Sequence, residues 1–200
     1  DGSPDSHGYS YRMTYPSPDL LATILREATG RPVGTPRFRT PGVRDPELAA
    51  MFCAAHRALE GNEQALFADE KLIGFYLAAV ERYGGGLPAI IAAGQEPDAV
   101  ARTKDYLIAH IGEATDFQAL ARHVGLSAWH LIRVFRRATG LTPHAWLVDR
   151  RVHRARELLR AGESPSHIAL QCGFADQAHM TRSFKARLGV TPGQYRALLN

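Results

Sequence analysis

The chain has 200 residues, 45% of them apolar and 22% charged, with a net charge of +4, an ordinary globular composition with material for one domain or two small ones. No run approaches the roughly 18 apolar residues of a membrane span, and the opening DGSPDSHGYS has no basic or apolar stretch to act as a signal peptide, so a cytoplasmic protein is expected. Cys53 and Cys172 read as buried free thiols, and the nine histidines fall in no ligand spacing. Neither a metal nor a cofactor is expected, and the convergent nucleophile, base and electrophile of an enzyme are not in view.

In chain order, Tyr9, Tyr11, Met13 and Tyr15 alternate with Ser10, Arg12 and Thr14, which predicts a strand before Pro16. Asp19 to Thr29 fits a short helix, followed by a Pro- and Gly-rich loop through Gly42. From Asp45 the period becomes helical: Leu48, Met51, Phe52, Ala55 and Leu59 share a face, with Asp45 as N-cap, Pro46 in the first turn and Gly61 as the stop. Leu72, Phe75, Tyr76, Ala79 and Tyr83 repeat that spacing until Gly84-Gly85-Gly86. These two helices make a hairpin, expected to pack on each other, with an apolar face left for a partner such as a second copy of the chain. The predicted organisation is a sensor-like remnant and loop over 1–44, the hairpin over 45–83, a linker over 84–97 and a further helical unit over 98–200.

That last unit carries the charge. Residues 1–100 have a net charge of −4 and residues 101–200 a net of +8, the latter with thirteen arginines and two lysines. A basic half joined to an acidic half points to a polyanion-binding module. The basic half also contains an internal repeat. Leu120-Ala-Arg-His-Val-Gly-Leu126 corresponds to Ile168-Ala-Leu-Gln-Cys-Gly-Phe174, and Gly140-Leu-Thr-Pro143 to Gly189-Val-Thr-Pro192. In each copy a small alanine lets two helices approach, a glycine makes the turn and the next apolar residue plugs the corner, which is the grammar of a helix-turn-helix. Ser127 and Asp176 are the predicted N-caps of the second helices.

Those second helices separate into two faces. Leu131, Val134, Phe135 and Ala138 form an inward stripe, and Trp129, Ile132, Arg133 and Arg136 the outward one. In the second copy Met180, Phe184 and Leu188 point in, while Ala178, Thr181, Arg182 and Lys185 point out. Between the copies, 143–161 reads as one helix of roughly 19 residues, about 28 Å long, near the roughly 34 Å between successive major grooves on one DNA face. Arg150, Arg151, Arg154 and Arg156 on it are assigned no base-reading role: they read as solubility charge, with burial of Arg151 against Asp149 or Glu157 as the alternative for that residue.

Residues 101–200 resemble the DNA-binding domain of the AraC/XylS family of bacterial transcription regulators. The resemblance rests on Leu-Ser-Ala-Trp-His-Leu-Ile-Arg-Val-Phe (126–135), Arg151 with Ala155 and Leu158-Leu159, Ile168 to Phe174, and Phe184, Gly189, Thr191-Pro192 and Tyr195-Arg196. It implies a mainly α fold: two helix-turn-helix subdomains joined by a linker helix, preceded by a helical hairpin and a residual β-strand. It further implies double-stranded DNA as partner, a homodimer through the hairpin and contact with RNA polymerase. Its base-reading positions fall on Trp129, Ile132 and Arg133, with Arg136 beside them, and on Gln177, Ala178, His179, Thr181 and Arg182. Residues 9–83 resemble the tail of the family's sensor domain without the preceding barrel strands, so a small-molecule effector is not expected for these 200 residues. The competing reading is an inhibitory protein partner acting through the 45–83 hairpin.

Overall fold

The computed structural model describes residues 12–60 apart from 33, 35, 39 and 41, residues 65–85, and residues 96–199. It is mainly α, with helices α1 (Pro18–Thr29), α2 (Pro46–Glu60), α3 (Ala65–Tyr83), α4 (Pro97–Ala109), α5 (Phe117–Val124), α6 (Ala128–Thr139), α7 (Pro143–Arg160), α8 (Pro165–Gln171), α9 (Gln177–Leu188) and α10 (Pro192–Ala197). Two short strands, β1 (Arg37–Phe38) and β2 (Gly84–Gly85), pair antiparallel. Among the described residues no helix is long and apolar enough to cross a membrane.

The strand expected over Tyr9–Tyr15 is not formed where it can be seen: residues 12–17 lack regular structure, and residues 9–11 lie outside the described residues. The segment is held by side chains instead of a backbone ladder. Arg12 pairs with Glu60 at 2.9 Å, and the Thr14 hydroxyl meets the Tyr76 hydroxyl at 2.5 Å. Of the expected linker, Gly84 and Gly85 form β2, residues 86–95 lie outside the described residues, and α4 already begins at Pro97. Gly61, the expected stop of α2, is also outside them.

Helices α2 and α3 form the predicted hairpin. At its open end Asp45 accepts the Leu48 N–H (2.9 Å), as an N-cap does, and also binds Arg82 (2.8 Å) and Tyr83 (2.9 Å). The Leu48 N–H and the Arg82 guanidinium hold the Asp45 carboxyl down at about 2. The apolar surface expected to await a second chain is largely taken up inside this one: α1 lies against both α3 and α6, and Leu21, Ile24 and Ala28 of α1 pack with Tyr76, Leu77 and Trp129.

Two further cores build the C-terminal half. Val100, Leu107, Phe117, Leu120, Leu131, Phe135 and Leu147 form one, and Val148, Val152, Leu159, Ile168, Met180 and Phe184 the other. The core changes from one to the other between adjacent residues of α7. That helix, 18 residues and so about 27 Å long, is the shared beam of both units. Leu66 of α3 also enters the first core, so the hairpin is packed onto the module. Ala138, expected in the inward stripe, is exposed, because α6 ends one residue later and the chain turns away at Gly140. Cys172 is buried but Cys53 only half so, and both are free thiols.

Candidate nucleic-acid interface

Each unit is built as its sequence dictates. Asp116 caps α5 by accepting the N–H groups of Gln118 and Ala119, and Gly125 ends it in the left-handed region at φ 74°. Ser127 then caps α6 through the His130 N–H (3.2 Å). In the second copy Ser164 caps α8, Gly173 turns at φ 73°, and Phe174 is buried as the corner plug. Asp176 caps α9 by accepting the His179 N–H at 2.5 Å.

At Gly173 the absence of a side chain is a packing requirement as well as a conformational one. A Cβ there would stand 2.7 Å from Arg151 Nη2, 2.7 Å from the Ile111 carbonyl oxygen and 2.8 Å from the Gly112 carbonyl carbon. Arg151 is fully buried at this point. Its partners are not the carboxylates of Asp149 or Glu157: Nε donates to Ile111 O (2.8 Å) and Nη2 to Glu113 O (2.7 Å). Asp149 instead pairs with Arg150 at 2.6 Å. Burial lowers the Arg151 pKa to about 10, so it stays charged near neutrality. Arg151 thus ties the beam and the second turn to the loop after α4.

The outward faces of α6 and α9 differ sharply. On α9, Gln177, Ala178 and Arg182 are exposed, and Thr181 is half-buried with its hydroxyl donating to Gln177 O (2.8 Å). His179 departs from the expected reading set: it is buried, its ring set edge-on to Phe174 at 5.4 Å. The helical step from Met180 turns position 179 toward the corner plug and away from the outward face. On α6, Trp129 is only 4% exposed, contrary to its expected outward role, because α1 and α3 cover it. Ile132 and Arg133 are half-buried and Arg136 is exposed. The Arg133 guanidinium lies 4.3 Å from the Trp129 ring centre. Burial lowers its pKa, a shift that Glu81 only partly offsets. Between α3 and α6 runs a cleft of about 590 Å³ lined by Glu70, Gly74, Ala78 and Glu81 on one wall and Arg133, Arg136 and Arg137 on the other.

Sequence reasoning missed Glu70. It falls on the same stripe as Leu66, Ile73 and Leu77, and a lone carboxylate in an apolar stripe was the available signal. It is buried, and Oε1 accepts the His144 N–H (2.8 Å) in the first turn of α7. Burial raises its pKa to about 7 despite that bond and a second from Thr142. His144 is buried beside it, its ring 4.8 Å from that of Phe67, and burial with nearby Arg151 pushes its pKa down to about 3. No group of three or more side chains suited to a metal occurs among the described residues.

Two capped helix-turn-helix units in repeat, each with its own core and joined by one rigid helix, define a double helix-turn-helix module. The comparisons agree with that class: the family described as "Helix-turn-helix domain" matches residues 120–198, and "AraC-like ligand binding domain" matches residues 1–75. Both halves of the chain are thus similar to AraC-type regulators. It is 30% identical over 176 residues to the HTH-type transcriptional regulator YbfI of Bacillus subtilis, covering 88% of this chain and 63% of that protein. It is 40% identical over 88 residues to the HTH-type transcriptional activator RhaS of Escherichia fergusonii, covering 44% and 32%. Among solved structures, the DNA-binding domain of AdpA in complex with a target DNA is 32% identical at a TM-score of 0.48, covering 50% of this chain and 91% of that one. The chain spans less than two thirds of the curated relatives named here.

Proposed function

We propose that the chain is a sequence-specific DNA-binding regulator of transcription, in which α9 and α6 enter successive major grooves on one face of a duplex. The observation that carries this reading is the exposed face of α9, with Arg182, Gln177 and Ala178 in the basic half of the chain, repeated in sequence by α6, with the 18-residue α7 between the two. Arg182 supplies bidentate donors to a guanine edge, Ala178 an apolar contact for a thymine methyl, and the surrounding arginines neutralise phosphate. Arg133 and Arg136 play the corresponding part on α6, with Trp129 and Ile132 as its apolar readers. A homodimer and a contact with RNA polymerase belong to the same proposal by family resemblance.

The test is Arg182→Ala, measured on a duplex selected from a random pool by the unaltered chain and on an unselected duplex. Loss of about 1–3 kcal/mol on the first and little on the second is expected. Equal losses on both would make Arg182 a phosphate contact. A chain that neither binds duplex DNA nor shows a salt-dependent affinity would refute the reading.

A further inference from the structure

We infer that the reading face of α6 has two mutually exclusive partners: a DNA major groove, and the surface this chain itself forms from α1 and α3. The inference rests on the DNA-binding reading above and adds that, in the arrangement described here, the second helix-turn-helix is open for DNA and the first is closed.

Three independent features of the contact point this way. The first is burial. Trp129, at the start of the α6 face that matches α9's exposed face in the repeat, is sealed by Leu21, Ile24 and Ala28 of α1 and by Tyr76 and Leu77 of α3. A major groove about 12 Å wide admits one helix. With α1 and α3 both against it, α6 cannot enter.

The second is charge. The exposed Glu81 of α3 stands across the cleft from Arg133, Arg136 and Arg137, and it partly offsets the lowering of the Arg133 pKa by burial. A carboxylate thus faces the arginines that would otherwise be free to meet phosphate, so the covering surface competes with the polyanion for them. The third is asymmetry. The corresponding face of α9, with Gln177, Ala178, Arg182 and Lys185 exposed, has no such cover among the described residues. Among the described residues only the hairpin-proximal unit is masked, so the closed chain offers DNA a single reading head. Two-groove binding then requires both α1 and α3 to part from α6, and the apparent affinity is the intrinsic one reduced by the open fraction.

The chain has two tryptophans, and Trp146→Phe leaves Trp129 as the single indole while keeping an aromatic ring against Phe135. In that full-length protein, acrylamide should quench Trp129 weakly. Ile24→Asp, which places a charge in the α1 contact, should expose Trp129 to quencher and raise affinity for a duplex selected by that opened variant at least about tenfold. The added charge is negative, so the gain cannot come from attraction to phosphate. Arg133→Ala should weaken binding several-fold more in the Ile24→Asp background than in the closed chain, whereas Arg182→Ala should weaken both alike.

If Ile24→Asp loses helical signal, Leu21→Asp at the edge of the same contact gives the milder opening. Ready quenching of Trp129 in the free protein would overturn the inference. So would an opened variant with exposed Trp129 and unchanged DNA affinity, or equal Arg133 dependence in both backgrounds. If Trp129 is shielded yet no variant binds duplex DNA, the regulator reading is what fails, and the inference falls with it.

Discussion

Replacing Glu70 by Gln should stabilise the protein, and more so at alkaline pH. Two effects compete at this carboxylate. The first turn of α7 attracts negative charge, worth about 0.3–1 kcal/mol at an exposed site and up to about 2 when partly buried, and the His144 N–H bonds it at 2.8 Å. Burial opposes both and prevails, since the pKa is raised from the ordinary 4.5 to about 7. At about 1.4 kcal/mol per pH unit, ionising Glu70 costs the folded chain about 3 kcal/mol more than the unfolded one. The sign follows directly. Between pH 4.5 and about 7 the folded chain holds the extra proton, so stability rises as pH falls from about 7 and is lost as pH climbs back. Glutamine keeps the carbonyl acceptor and never ionises. At pH 8 the variant should gain up to about 3 kcal/mol, roughly 6–12 °C in Tm for a chain of this size, and near pH 4.5 almost nothing. Thermal melts of both proteins from pH 4.5 to 8 provide the assay. A variant less stable than the parent at pH 8 would refute the argument, because the helix terminus and the charged hydrogen bond would then outweigh desolvation.

Four other substitutions follow from the same packing. Gly173→Ala meets both a left-handed backbone, at about 1–2 kcal/mol, and atoms closer than 3 Å; Gly125→Ala, at a similar φ with open space around it, should lose only the backbone part, so chemical denaturation should rank Gly173→Ala clearly lower. Arg151→Lys has a single ammonium where a fork serves the carbonyls of Ile111 and Glu113, and leaving one buried carbonyl unpaired should destabilise by about 1–3 kcal/mol in the same assay. His144, held down at about 3 from 6.5 by burial, contributes stability that is present above pH 6.5 and lost as pH falls toward 3. That loss opposes the Glu70 gain between pH 4.5 and 6.5 and acts alone of the two below it, so His144→Phe should lessen the fall in Tm under acid.

The sequence revealed whatever is decided within a few residues. Ser127, Asp176 and Asp45 cap the helices they were expected to cap, Gly125 and Gly173 make the turns, and Leu131, Phe135, Met180 and Phe184 lie inward. The repeat made the double module legible because each copy folds on its own core. What escaped depends on distant segments. Trp129 looks outward by helical spacing, and only α1 and α3, from the other half of the chain, bury it. Tyr9–Tyr15 has a strand's alternation, yet its described part is tied down by Glu60 and Tyr76 through side chains. Arg151 bonds to carbonyls, which every residue carries, so no residue type could announce its partners. His179 and Glu70 lie one helical step, or one interface, from where periodicity alone would place them.

The change of core between Leu147 and Val148 bears on how the two reading heads move. Apolar patches sliding on one another leave the angle between two bodies soft, because the hydrophobic effect has no direction. Here the bodies share a continuous helix and are pinned by two aimed hydrogen bonds from one guanidinium, so their separation and twist are stiff even though their interiors are separate. Amide exchange along α7 should therefore fall into two cooperative blocks meeting near residue 148, each opening with its own head. The joint behaves like a ruler with two detachable ends: either end can melt, but while both are folded the distance marked on it does not change.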